Sequence, residues 1–367
     1  MSLTALPNDC LLACLARVPY VDLRNGLPST CKSLRDAMAS AAFRKTREAA
    51  GYVEWAVFAR AGAPNSTSSY LIQASATYRT VPGPPRGLPA TQPGSLPILS
   101  SEHGDEIVFL HGDADIGVDA FHPGRNSWRR LAPLSRPRRE EMFIGACGSL
   151  GSTIIVLDEG PYDGQTVPNY VYDSSQDAWS RRPDFPFETP REMFSKAIEI
   201  DGKLWLYASQ SGDDIIEGGL FIYDPATQTW TAGPRLPHEL YPRYGIQWHL
   251  TAFELRKRFC LMGLFQRTPE DVSYLGFMWD PIRGAWDEAP FPMPPVIAHD
   301  GENIDNNLIV AGNVEPSSYE GPYDRRSRLF VLKPDSSEWD EWRFPDDIVT
   351  DWRKARSTVG MSVARLG

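Results

Sequence analysis

Five tryptophans recur along this chain at nearly equal intervals: Trp128, Trp179, Trp230, Trp286 and Trp339, separated by 51, 51, 56 and 53 residues. A period of about fifty residues marks one supersecondary unit repeated in a stack or a ring, because such a unit cannot bury its apolar faces alone. Each tryptophan follows a bulky apolar residue by seven positions: Phe121, Tyr172, Tyr223, Trp279 and Leu332. A polar turn lies between them, clearest in Tyr223-Asp224-Pro225-Ala226-Thr227-Gln228-Thr229-Trp230. Leu71 and Tyr78 extend the register one step upstream, so six units are expected.

The unit is most legible over residues 198–236. Ala197-Ile198-Glu199-Ile200 alternates, and Asp201-Gly202 is a two-residue hairpin signal. Lys203 to Tyr207 forms a second strand, Leu220 to Tyr223 a third, and Thr229-Trp230-Thr231 opens a fourth. Four antiparallel strands repeated about an axis describe the blade of a β-propeller. A sandwich is the competing all-β solution and leaves the period unexplained. The 29 Gly and 32 Pro, spread between apolar runs, suit a turn-rich fold of this kind.

The first fifty residues read differently. Leu11, Leu15 and Val18 fall at i, i+4 and i+7, with Leu12 beside them, on one face of a helix that Asn8 or Asp9 can cap and Pro19 stops. A short helix from Asp22, a third carrying Cys31, Leu34 and Met38, and a fourth capped by Ser40 complete a small helical module. So small a core is marginal alone, and its apolar stripe is expected to dock on a partner or on the next domain.

Leu6-Pro7-Asn8-Asp9-Cys10-Leu11-Leu12, Leu15, Val18-Pro19, Asp22-Leu23 and Thr30-Cys31-Lys32-Ser33-Leu34-Arg35 resemble, in order, the F-box motif. The resemblance implies that Leu6, Pro7, Leu11, Leu15, Val18 and Pro19 contact a Skp-type adaptor and, through it, a cullin of a ubiquitin ligase. Gly26-Leu27-Pro28 departs from the family, which continues a helix there. The fifty-residue units resemble kelch repeats, with a degenerate glycine doublet approached only at His111-Gly112 and Ala311-Gly312. The chain as a whole is similar to plant F-box/kelch proteins, and Glu54-Trp55 fits that group. The expected architecture is mainly β: a six-bladed kelch-type propeller over residues 51–367, preceded by an F-box helical module over 1–50. The alternative reading is a kelch scaffold or ligand-binding propeller whose helices only cap the ring.

The first unit lacks its innermost strand. The C-terminal strand at about 357–366 is expected to supply it, closing the ring and removing open sheet edges. Turns after strands one and three are short, whereas the connections Asp158–Asn169, Ala208–Gly219, Leu264–Ser273 and Gly312–Ser327 are long and unlike one another. Divergent loops on a regular scaffold are where binding resides. Arg136, Arg138, Arg139, Arg191, Arg243, Arg325, Arg326 and Arg328 gather on that face with Tyr244, Tyr319 and Tyr323. Of these, Arg139, Arg191, Arg243, Tyr244, Tyr323 and Arg325 are the expected substrate contacts, Arg and Tyr being the types enriched at interface centres. An acidic or phosphorylated protein segment is the expected ligand.

Residues 1–50 carry seven Lys or Arg against four Asp or Glu, a net of +3 that leaves −13 for the remainder of a chain totalling −10. That balance excludes phosphate-backbone binding as a main role. The six histidines include no HxH or HExxH spacing, and no nucleophile elbow, P-loop or dinucleotide fingerprint occurs. The five cysteines form no CxxC pair. The expectation is therefore a non-catalytic protein without cofactor or metal. With no basic leader and no long apolar run, it is expected in the cytoplasm or nucleus, away from membranes.

Overall fold

The structure is a computed structural model. It describes residues 7–18, 23, 32–38, 40–50, 54–63, 66–73, 78–80, 97–99, 106–111, 115–122, 127–135, 144–151, 153–158, 167–186, 195–209, 218–237, 247–268, 271–294, 297–304, 307–314, 326–333, 336, 338–343 and 359–366. Among them are three helices, α1 (Asn8–Leu15), α2 (Lys32–Met38) and α3 (Ala41–Ala49), followed by β structure alone.

The strands group into six sheets. Sheet 1 has the order β26 (Val359–Leu366), β1 (Glu54–Ala63), β2 (Ser66–Gln73), β3 (Tyr78–Thr80). Sheet 2 runs β4 (Pro97–Leu99), β5 (Ile107–His111), β6 (Asp115–His122), β7 (Ser127–Arg130), with β8 (Leu134–Ser135) on β6. Sheet 3 comprises β9 (Ile144–Leu150), β10 (Thr153–Asp158), β11 (Val167–Asp173) and β12 (Ala178–Phe185), with β13 (Ser195–Lys196) added beside β9. Sheet 4 holds β14 (Ile198–Ile200), β15 (Lys203–Ser209), β16 (Gly218–Asp224) and β17 (Thr229–Ala232). Sheet 5 holds β18 (Gln247–Leu255), β19 (Arg258–Thr268), β20 (Asp271–Asp280) and β21 (Ala285–Glu288). Sheet 6 holds β22 (Ile297–Ile304), β23 (Asn307–Val314), β24 (Arg326–Leu332) and β25 (Trp339–Arg343).

The first strands of consecutive sheets lie side by side, β4 by β9, β9 by β14, β14 by β18, β18 by β22, and β22 by β26. The protein is thus mainly β and its sheets are blades of a β-propeller. Sheets 2 to 6 give five blades, one fewer than the six expected from the sequence. Sheet 1 is described for its backbone alone. There, β26 pairs antiparallel with β1 from Ala61↔Val359 to Glu54↔Leu366, so the first and last strands of the chain share a sheet.

The seven-residue spacing has a simple geometric cause. Strands three and four of a unit are joined by a four-residue turn that places positions i and i+7 directly opposite: Tyr172↔Trp179, Tyr223↔Trp230, Trp279↔Trp286. The ring centroids of these pairs are 5.2, 5.2 and 5.5 Å apart. Each turn opens on an aspartate that accepts backbone N–H groups, such as Asp280 from Ile282 at 2.9 Å and Arg283 at 3.1 Å. It closes on a residue of positive φ: Asp177 (47°), Gln228 (57°) or Gly284 (62°).

The tryptophan then faces the preceding sheet. Trp179 donates its indole N–H to the Ala132 carbonyl at 2.8 Å, Trp286 to Arg235 at 2.7 Å and Trp339 to Pro292 at 2.5 Å. The pair is therefore cross-strand within its own blade, and both members pack against the preceding one, Tyr172 in the cluster of Val108 and Val118 and Tyr223 in that of Ile155. Between the seams the cores are continuous, with Phe109, Phe121, Phe185, Phe253 and Phe259 each at most 2% exposed.

Several sequence expectations change. Residues 264–273 are not a long loop, because β19 runs to Thr268 and β20 starts at Asp271. The N-cap of α1 is Pro7, with no side-chain cap from Asn8 or Asp9; the Pro7 carbonyl instead accepts the Leu11 N–H at 2.9 Å. Ser40 does cap α3, accepting the Phe43 N–H at 3.1 Å.

Candidate functional site

Two surfaces were singled out by sequence: the first helix of the module and the long-loop face of the propeller. In the module, Leu11, Leu12 and Leu15 of α1 and the following Ala16 pack with Leu23, Leu34 and Phe43 into one cluster. Leu11 is 6% and Leu15 3% exposed. The same i, i+4 spacing that suggested a docking stripe is thus the stripe that forms the module's own interior. A contact role for Leu11 and Leu15 would require that interior to open. Val18 is half-buried against the cluster, Pro7 is exposed, and Leu6 and Pro19 lie outside the described residues.

The opposite side of α1 presents Pro7, Cys10, Cys14 and Arg17 at i, i+3, i+7 and i+10, all exposed. Sequence reasoning missed this face because two cysteines carry no amphipathic signal. The module is held from behind by Arg47 of α3, which is 0% exposed. Its Nη1 donates to the Val18 carbonyl at 2.7 Å and to the Ala16 carbonyl at 3.4 Å, satisfying groups that the end of α1 leaves open. Its guanidinium also lies 5.7 Å from the Phe43 ring. A fully charged side chain is tolerated there because it meets carbonyl oxygens and a π face.

On the propeller, all six expected substrate contacts, Arg139, Arg191, Arg243, Tyr244, Tyr323 and Arg325, lie outside the described residues. Of the wider arginine cluster, Arg326 and Arg328 lie on β24. Arg328 has a side chain 16% exposed and is ion-paired to Glu341 at 2.9 Å, so it braces strands β24 and β25.

On the short-turn face, polar groups bond to neighbouring blades. The Asp177 carboxylate accepts the Ala132 N–H at 2.9 Å and the Tyr172 hydroxyl at 2.7 Å. These two donors hold Asp177 below the usual carboxylate range, the Ala132 N–H contributing most. Burial, then the Asp177 partner, pushes the Tyr172 phenol up. Gly151 donates its N–H to Glu199 at 3.3 Å, and Arg182 reaches Gln228 at 3.0 Å. On the outer strands Arg129 grips Glu106 through two bonds of 2.8 and 2.7 Å, and Arg130 pairs with the fully buried Asp119 at 3.1 Å. These cations are engaged in structural pairs. Among the described residues no cluster of three or more His, Cys, Asp or Glu could hold a metal, and no helix is long and apolar enough to cross a membrane.

No family model matches the chain. It is 25% identical over 248 residues to an F-box/kelch-repeat protein of Arabidopsis thaliana, covering 61% of this chain and 65% of that protein. It is 24% identical over 150 residues to kelch repeat and BTB domain-containing protein 8 of Danio rerio, covering 38% of this chain and 24% of that protein. The Xenopus tropicalis protein of the same name aligns over 148 residues at 24% identity and 23% of its length. The chain therefore spans about a quarter of the kelch/BTB relatives and under two thirds of the F-box/kelch relative. The F-box and kelch names both occur among its relatives, as the resemblance in its sequence implies.

Proposed function

We propose that this chain is the substrate-recognition subunit of a Skp–cullin–F-box ubiquitin ligase. In this reading residues 1–50 bind the Skp-type adaptor, and residues 51–367 form the kelch-type propeller, with the first and last strands joined in sheet 1. The long-loop face captures an acidic or phosphorylated protein segment through Arg139, Arg191, Arg243, Tyr244, Tyr323 and Arg325. The chemical contribution is proximity: holding the target raises its effective concentration at the conjugating enzyme, with no catalytic residue needed on this chain. The observation that carries the reading is the small helical cluster around Arg47, which leaves one face of α1 uncovered ahead of a kelch-like propeller.

The adaptor contacts are assigned to the exposed side of α1, with Leu11 and Leu15 supporting it from beneath. Co-purification with a Skp-type adaptor tests this. Wild type is expected to form a stable complex and Cys14→Asp to lose it while its melting curve stays unchanged, because Cys14 is exposed. Leu15→Asp is expected to lose the complex together with the module's helical signal. Folded wild type that captures no adaptor would turn the module into a structural cap and favour the scaffold reading.

A further inference from the structure

Three unpartnered, buried side-chain polar atoms occur in the β region among the described residues: Asn169 Oδ1, Arg182 Nε and Trp230 Nε1. All three belong to one seam, that between sheets 3 and 4. Asn169 stands between Val167 and Val171, and strand alternation puts these three on the face that packs against Tyr223 and Trp230. Arg182 is the direct cross-strand partner of Asn169 and donates to Gln228, two residues before Trp230. Phe185 of the same strand meets the Trp230 ring edge-on at 5.2 Å.

The reason for the missing bond is visible by comparison. In sheet 2 the acceptor for the next tryptophan is Ala132, four residues after Trp128, where the outer strand has already ended. Four residues after Trp179 comes Pro183, but β12 remains paired to Phe185 through a register shift between Val167 and Asn169. The Pro183 carbonyl accepts the Asn169 amide at 3.5 Å instead. Trp230 is 6% and Asn169 0% exposed, so bulk solvent cannot satisfy them.

We propose that the seam between sheets 3 and 4 is a binding site for one structural water, which accepts from Trp230 Nε1 and Arg182 Nε and donates to Asn169 Oδ1. Two donors and one acceptor match what a buried water offers, since such waters make about three bonds to otherwise unsatisfied groups. The site would replace, at this seam, the direct indole-to-carbonyl bond made by Trp179, Trp286 and Trp339.

A crystal structure that resolves ordered water decides it. The expected result is a density peak within hydrogen-bonding distance of Trp230 Nε1 and Asn169 Oδ1, lost in Trp230→Phe/Asn169→Leu. Water relaxation dispersion on the same pair of proteins should show one slowly exchanging molecule fewer in the variant. An Asn169 amide turned to take the indole N–H directly, a Trp230–Pro183 bond, or an empty seam would each overturn the proposal.

Discussion

The seam between sheets 2 and 3 and the seam between sheets 3 and 4 solve the same packing problem by different means. At the first, one turn of sheet 3 clamps the Ala132 peptide from both sides, Asp177 on its N–H and Trp179 on its carbonyl. At the second, the tryptophan makes no such bond: Arg182 reaches Gln228 at 3.0 Å, and Phe185 lies edge-on to both Phe221 and Trp230. That seam is fastened near its inner edge instead. β13 pairs parallel with β9, and the Ala197 N–H donates to the Cys147 carbonyl at 2.9 Å. A propeller blade can evidently be held at its rim or at its hub. The repeat sequence specifies the aromatic position, while the local path of the outer strand decides whether a polar latch accompanies it.

The largest expected effect comes from emptying the apolar seam. Phe185→Ala should cost about 3–5 kcal/mol, the usual loss for a fully buried phenylalanine, and should lower the main unfolding transition seen by calorimetry. An unchanged transition would mean that sheets 3 and 4 hold together without Phe185.

A smaller loss is expected at the hub of the same seam. A Cβ on Gly148 would sit 2.7 Å from the Ala197 Cβ and 2.8 Å from its carbonyl oxygen, too close for β13 to keep its place. Gly148→Ala should therefore cost about 1–3 kcal/mol, as overpacking does. Chemical-denaturation midpoints would report it; a neutral result would show that the β13 crossing yields freely. Gly148 has no counterpart role at the seam between sheets 2 and 3, so this variant separates hub fastening from rim fastening.

These two seams also show what could be read from the sequence. The tryptophan period set the blade pattern, and Asp201-Gly202 marked its hairpin, both residues indeed at positive φ. The equivalent turn at Arg256-Lys257 also has positive φ at both residues, yet carries no Gly or Asn to announce it. The β13 crossing depends on a glycine in the neighbouring strand β9, distant in sequence, a tertiary condition that no local pattern encodes. In the helical module, Leu11 and Leu15 were legible as one face, but spacing alone does not say whether that face meets a partner or the module itself. The exposed cysteines that mark the other face are outside any periodicity argument.

The Arg256-Lys257 hairpin offers a gain in place of a loss. Non-glycine residues in the left-handed region cost about 1 kcal/mol or more each. Arg256→Asn/Lys257→Gly should raise stability by about 1 kcal/mol, since the Lys257 N–H that donates to Glu254 is kept. A destabilised variant would indicate that the two side chains contribute more than their backbone strain removes.

The smallest effect is a pH dependence that belongs to the rim clamp alone. Asp177 titrates below the ordinary carboxylate range in the folded protein, so its contribution is complete above the unfolded value, about 3.9, and is lost as pH falls through the folded value. Because the residue is exposed, solvent screening keeps that contribution under about 1 kcal/mol. Wild type should melt higher than Asp177→Asn at pH 7, and the gap should narrow progressively once the pH drops below about 4. The seam between sheets 3 and 4 has Gln228 at the corresponding turn position, a group that does not titrate, so Gln228→Ala should give a difference from wild type that is flat over the same range. A flat Asp177→Asn curve would mean that the Ala132 N–H and the Tyr172 hydroxyl bind the neutral side chain as well as the carboxylate, and the rim clamp would then be one of geometry without charge.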